Sequence, residues 1–166
     1  AYASNSSSDT VAAVELATGR VELLATGKRP QGGVLSPDGR TIFITNSNGN
    51  TISLIDTAQR KIVGEIKTGD GPNRVRVTPD GRTLVYSLSR AHAAAFADVA
   101  TLTQVAQIPL SGQPLSLTMS TDGRWAFSGV QDKDKIHVID VAARKIVRTI
   151  DTPKEAGPDP AFPLEP

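Results

Sequence analysis

His92 and His137 are the two side chains best suited to proton transfer near neutral pH, and they stand in unlike surroundings. His137 lies inside an extended stretch, KIHVID, and is expected to be structural. His92 lies in a loop-like segment, RAHAA, from which it can reach an open face. No HxH or HExxH spacing accompanies either one, so no metal site is expected. Cysteine is absent, which removes thiolate ligands, a thiol nucleophile and a disulfide framework. A serine triad would need its nucleophile on a sharp turn, and no GxSxG segment occurs. The glycines of GDGPN (69–73) are explained by a turn ahead of a strand, so no phosphate loop is expected either. The expectation is therefore no catalytic residue, no metal and no cofactor.

What remains is binding chemistry. Arg29, Asn73 and Arg74 flank Pro30 and Pro72 at the starts of two similar segments, and Trp125 is the only tryptophan. Arginine and amide side chains on a polar rim suit an anionic small molecule or a carboxylate from a partner. A tryptophan where the other units hold Thr41 and Thr83 can mark a partner contact, and it can equally pack over a blade edge. Together with His92 these make the candidate ligand or partner residues: Arg29, Asn73, Arg74, His92 and Trp125. The 18 basic and 17 acidic residues are mixed along the chain and leave a net charge of +1. That balance gives no footprint for nucleic acid. No apolar run is long enough to cross a bilayer.

The elements that must position these residues come from a repeat. SPDGR (36–40) returns as TPDGR (78–82) and STDGR (120–124), so Asp38, Asp80 and Asp122 recur every 42 residues. Pro30, Pro72 and Pro114 keep the same period, as do Asp56, Asp98 and Asp140, with Glu15 in the equivalent place of a shorter first unit. Inside each unit the residues alternate apolar and polar between Gly, Asp and Pro turns, as in NTISLID (50–56). That pattern predicts four short antiparallel strands per unit. Asp-Gly pairs supply the positive φ of the first turn, and the aspartate after the third run caps the second. The alanine-rich AHAAAFADVATLTQVA (91–106) favours helix by propensity, but register places strands at Ala94–Asp98 and Thr103–Ile108, and register is the stronger guide. The units run approximately 1–29, 30–71, 72–113 and 114–156, with a tail at 157–166.

A sheet of about 40 residues cannot cover both its faces, and radial packing against like sheets solves this. YASN (2–5), FITN (43–46), NTISLIDTAQRKIVGEI (50–66) and DKIHVIDVAARKIVRTI (134–150) resemble the YVTN-family β-propeller repeat, a WD40-like architecture. The third unit departs most, with VYSL (85–88) at the naming motif. The resemblance implies an all-β propeller with about four blades in this chain, where relatives close with seven or eight. The chain is therefore expected to be a fragment, or to share a ring with a second copy, in preference to a closed four-bladed ring. Ala1 suggests that a leader or a longer N-terminal part is missing, and Gly157-Pro158 resembles the start of a first strand, though Pro160 and Pro163 would each remove a ladder donor from it. The resemblance further implies an exported bacterial protein, periplasmic or at the cell surface. Its function would be a non-enzymatic protein-binding or scaffold module, as a subunit of a larger complex. The alternative is part of a lactonase-like or haem- or quinone-associated propeller.

Overall fold

The computed structural model describes residues 1–159, which form four antiparallel sheets. The first holds three strands, β1 (Tyr2–Asn5), β2 (Thr10–Val14) and β3 (Val21–Ala25). The second holds β4 (Pro30–Leu35), β5 (Thr41–Asn46), β6 (Thr51–Asp56) and β7 (Lys61–Lys67). The third holds β8 (Pro72–Val77), β9 (Thr83–Leu88), β10 (Ala93–Asp98) and β11 (Thr103–Pro109). The fourth holds β12 (Pro114–Met119), β13 (Trp125–Val130), β14 (Lys135–Asp140) and β15 (Lys145–Asp151). Each sheet is a meander in chain order, so the architecture of β-propeller blades expected from the repeat is what the chain adopts. Neighbouring blades touch through β1 and β4, β4 and β8, and β8 and β12, which places these strands innermost.

Alternation along the strands decides how blades stack. In β9, Leu84, Tyr86 and Leu88 face the second blade and pack with Phe43, Ile52, Leu54 and Ile66. Val85 points the other way and joins Phe96, Leu117, Ala126 and Ile139 against the fourth blade. Ile42, Ile44 and Ile55 of the second blade meet Val11 and Leu24 of the first. Both faces of the middle sheets are thus covered by like neighbours, the two-sided burial that a lone small sheet cannot achieve. The alanine-rich segment forms β10 as register predicts. Ala93, Ala94, Ala95 and Ala97 are all buried, and small side chains there leave room for Tyr86 and Phe96 in the two flanking layers. Tertiary packing overrides the helical propensity of alanine.

The repeated aspartates are turn devices. Asp38 accepts bonds from the Ser36 hydroxyl (2.6 Å) and the Arg40 amide (3.1 Å), while Ser36 Oγ accepts from the Thr41 amide. Asp122 repeats the arrangement with Ser120 and Arg124, and the following glycines Gly39 and Gly123 adopt φ of +74° and +73°. The hydroxyl bond, then the amide, hold both carboxyls below the ordinary aspartate range. Asp56, Asp98 and Asp140 cap the turn into the fourth strand through the amides of Ala58, Thr101 and Ala143. Of the tail, residues 157–159 are described; the expectation of a closing strand through Pro160 and Pro163 lies outside the described residues.

The lower turns nest from blade to blade, and this separates two otherwise equivalent glycines. A Cβ on Gly123 would run into the Pro79 ring of the preceding blade, whereas one on Gly39 meets open space. Gly39→Ala is expected to cost only the left-handed backbone, about 1–2 kcal/mol. Gly123→Ala is expected to cost a further ~1–3 kcal/mol for the forced displacement. Urea denaturation of both variants checks this, and equal losses would contradict the nested packing.

Candidate functional site

Strand direction sorts the loops into two faces. The turns from first to second strand and from third to fourth lie at the lower end of each blade. The turns from second to third strand, and the segments leading into each first strand, gather at the upper end. A residue with left-handed backbone ends each upper turn: Asp9 (φ 56°), Asn50 (φ 54°), His92 (φ 49°) and Asp134 (φ 50°). Short polar side chains tolerate this conformation and can bond locally.

Three of these four reach forward to the next innermost segment. Asp9 Oδ1 accepts the Arg29 amide (2.8 Å), Asn50 Oδ1 accepts the Gly71 amide (3.1 Å) and Asp134 Oδ1 accepts the Gly157 amide (3.4 Å). Arg29, Gly71 and Gly157 are themselves left-handed (φ 55°, 75° and 53°), and each precedes a buried proline, Pro30, Pro72 or Pro158. From the first and second blades such a bond therefore sets the start of the innermost strand in the next, β4 or β8. At the third blade His92 keeps the backbone geometry without the carboxamide or carboxylate. There the Gln113 amide donates instead to Asp132 Oδ1 of its own blade (2.8 Å).

Arg90 braces the same face. Its Nε and Nη2 hold Asp70 Oδ1 (2.9 and 2.8 Å), and Nη2 also reaches the Ser47 carbonyl (2.5 Å) and Asn50 Oδ1 (3.1 Å). Nη1 reaches Asn48 Oδ1 (3.3 Å), so one guanidinium ties the third blade to the upper turn of the second. The hydrogen bond from Arg90, then its charge, keeps the Asp70 carboxyl below its ordinary range.

At the upper ends of the innermost strands, the mouth of the axis, these segments line a half-open cavity of ≈ 330 Å³. Arg29 and Gln31 line it from the second blade, Asn73 and Arg90 from the third, Gln113 and Leu115 from the fourth. The side chains of Arg29, Gln31 and Gln113 bond to no other described residue. Asn73 uses its Oδ1 to accept from Arg74 Nη1 (2.7 Å) and keeps its amide hydrogens free among the described residues. A larger groove of ≈ 680 Å³ lies between β1 and β4, walled by apolar groups such as Tyr2, Val34, Ile42 and Ile44. It holds no side chain able to orient a polar ligand by charge.

Of the candidates read from sequence, Arg29 and Asn73 meet in the mouth. Arg74 is half-buried and bonds to Asn73 without lining the cavity. His92 is exposed on the same face, away from the cavity wall. Trp125 starts β13 at the lower end, with the Arg124 guanidinium stacked 4.6 Å from its ring centre. Asn46, at the upper end of β5, is buried inside its blade, with its side-chain amide donating to Thr51 and Ser53. Sequence reasoning missed Gln113 and the forward bonds of Asp9 and Asp134. The 42-residue spacing of Asn50, His92 and Asp134 was the available signal, but their left-handed backbone is not written in residue type.

His137 is structural, as expected from its mid-strand place. It is 4% exposed, and its Nε2 accepts the Ser111 amide (3.3 Å) while lying 2.9 Å from Ser111 Oγ. Since Nε2 accepts an N–H, the proton sits on Nδ1 and is donated to Thr149 Oγ1 (3.0 Å). Burial, then the charge of Lys135, lowers its pKa. A histidine whose folded pKa is depressed contributes stability that is full above its unfolded value of about 6.5 and lost as pH falls from there towards the folded value. Stability should therefore fall more steeply below about pH 6.5 in the native chain than in His137→Gln. Parallel curves from denaturation at a series of pH values would contradict this.

A family model described as YNCE-like beta-propeller matches residues 57–161. No curated protein matches the chain significantly. Among solved structures the chain is similar to Kuenenia stuttgartiensis hydrazine synthase, at 25% sequence identity and a TM-score of 0.83. That likeness covers 89% of this chain and 44% of the other, so the chain spans less than half the length of that relative.

Proposed function

This chain belongs to the YNCE-like β-propeller family, and we propose that it serves as a non-enzymatic binding module that engages a protein partner at the upper face, as part of a larger assembly. The observation that carries this reading is the division of labour among polar side chains at the mouth. Asp9, Asn50, Asp70, Arg90 and Asp134 are committed to holding loops in place, while Arg29, Gln31, Asn73 and Gln113 present donors to the cavity. A rigid scaffold that aims uncommitted donors at one opening is built for recognition. Export to a bacterial periplasm or cell surface goes with this reading through the repeat's resemblance to YVTN proteins. A second reading, part of a propeller enzyme or cofactor carrier, draws on the likeness to a hydrazine synthase, an enzyme by its name. A coloured or metal-bearing native protein would favour that second reading.

The cysteine-free sequence allows a direct test. A single cysteine at Gln113, carrying a photoactivatable cross-linker, is expected to capture one discrete protein. The same label at Lys61, on the exposed outer strand β7, is expected to capture none. Equal capture from both positions would contradict the mouth as the partner site. Labelling of the cysteine in intact cells by a reagent that crosses only the outer membrane is expected; labelling confined to lysed cells would contradict export.

A further inference from the structure

We propose that the axial mouth is a carboxylate-binding site, with Arg29 as its charge and the amides of Gln31, Asn73 and Gln113 as its orienting donors. The inference rests on the reading of the mouth as the recognition site and names the chemistry it recognises.

Four features converge. Arg29 is exposed and forms no ion pair with any described residue. Its main chain is fixed on both sides, the amide donating to Asp9 and the carbonyl accepting from Ser47 (2.9 Å), so the guanidinium swings from an anchored point. The nearby carboxylates are engaged elsewhere: Asp9 accepts the Arg29 amide, Asp70 is held by Arg90, and Asp132 accepts the Gln113 amide. None of the three forms a salt bridge to the Arg29 side chain. Primary amides from three successive blades then ring the opening and supply N–H donors of a kind that fit carboxylate oxygens beside a guanidinium fork.

The fourth wall excludes alternatives. Leu115 holds the place that Gln31 and Asn73 hold in the two preceding blades, and it turns one side of the cavity apolar. A bare inorganic anion would leave that wall uncovered, while a carboxylate on a short hydrocarbon stem fills it. The cavity of ≈ 330 Å³ is at the small end for organic ligands, which suits one acidic side chain or a small free acid. Both sources present the same group to the same donors.

The test titrates the isotope-labelled full chain with glutarate, a carboxylate on a three-carbon stem, and with glutaramide, its neutral counterpart. Glutarate is expected to shift the side-chain amide resonances of Gln31, Asn73 and Gln113 saturably, and glutaramide is not. Arg29→Gln should weaken glutarate about ten-fold, the loss of one charge-assisted bond. Lys28→Gln, which removes an adjacent exposed charge, should change it less than two-fold. Unchanged strand resonances in both variants show that the fold is intact. Glutaramide matching glutarate, or Arg29→Gln titrating like the native chain, would overturn the site. A blocked peptide with a central glutamate that competes for the same resonances identifies a partner's side chain as the source. Failure of the peptide beside success of glutarate would leave the carboxylate site standing and overturn the protein-partner reading.

Discussion

Every middle sheet in this chain is apolar on both faces, and this one condition governs the rest. Leu84, Tyr86 and Leu88 can leave water only against the second blade, and Val85 only against the fourth. Burying a leucine or phenylalanine side chain is worth about 1.5–3 kcal/mol each, so the stacked layers dominate the favourable side of folding. Polar side chains that do enter the buried sheets are bonded there, as His137 is on both ring nitrogens. Uncommitted polar side chains are then restricted to strand ends, and the convergence of innermost strands gathers the upper ends around one opening.

Position at that opening depends on bonds that cross between blades. Asp9 and Asn50 fix the first residue of the innermost segment in the blade that follows, and Arg90 reaches back to the turn before it. These contacts are main-chain bonds to short side chains and one rigid guanidinium, so little conformational freedom is left to the scaffold. The side chains that remain free are those with nothing structural to do. The lower face is organised differently. Its aspartates are spent on their own turns, and Gly123 lies directly on Pro79.

The architecture was legible because the repeat makes each element testify for its neighbours. One alanine-rich strand could not be read from its own composition, but a period of 42 residues placed it within a residue of where it lies. Turn aspartates were equally legible, because Asp-Gly carries both its backbone conformation and its bonding in its residue types. The site was legible only in part. Arg29 and Asn73 were found by their place beside a strand-starting proline, and that same rule drew in Arg74, whose side chain turns to its neighbour instead. Trp125 drew notice by rarity, which says nothing of which end of a blade a residue occupies. Gln113 precedes Pro114 as Arg29 precedes Pro30, so the same rule reaches it once it is extended to the third proline of the series. The left-handed residues escaped because Asp, Asn and His share no side-chain chemistry that announces a common φ.

Native-state hydrogen exchange at the Arg29 and Gly71 amides tests most directly whether bonds between blades hold the mouth in place. Both amides donate to side chains of the preceding blade, so their exchange should be slowed well beyond that of the exposed Lys154 amide. Asn50→Ala should release Gly71 while leaving Arg29 protected by Asp9. If both amides exchange as freely as Lys154 in the native chain, the mouth is not a preset array, and the recognition chemistry built on it fails.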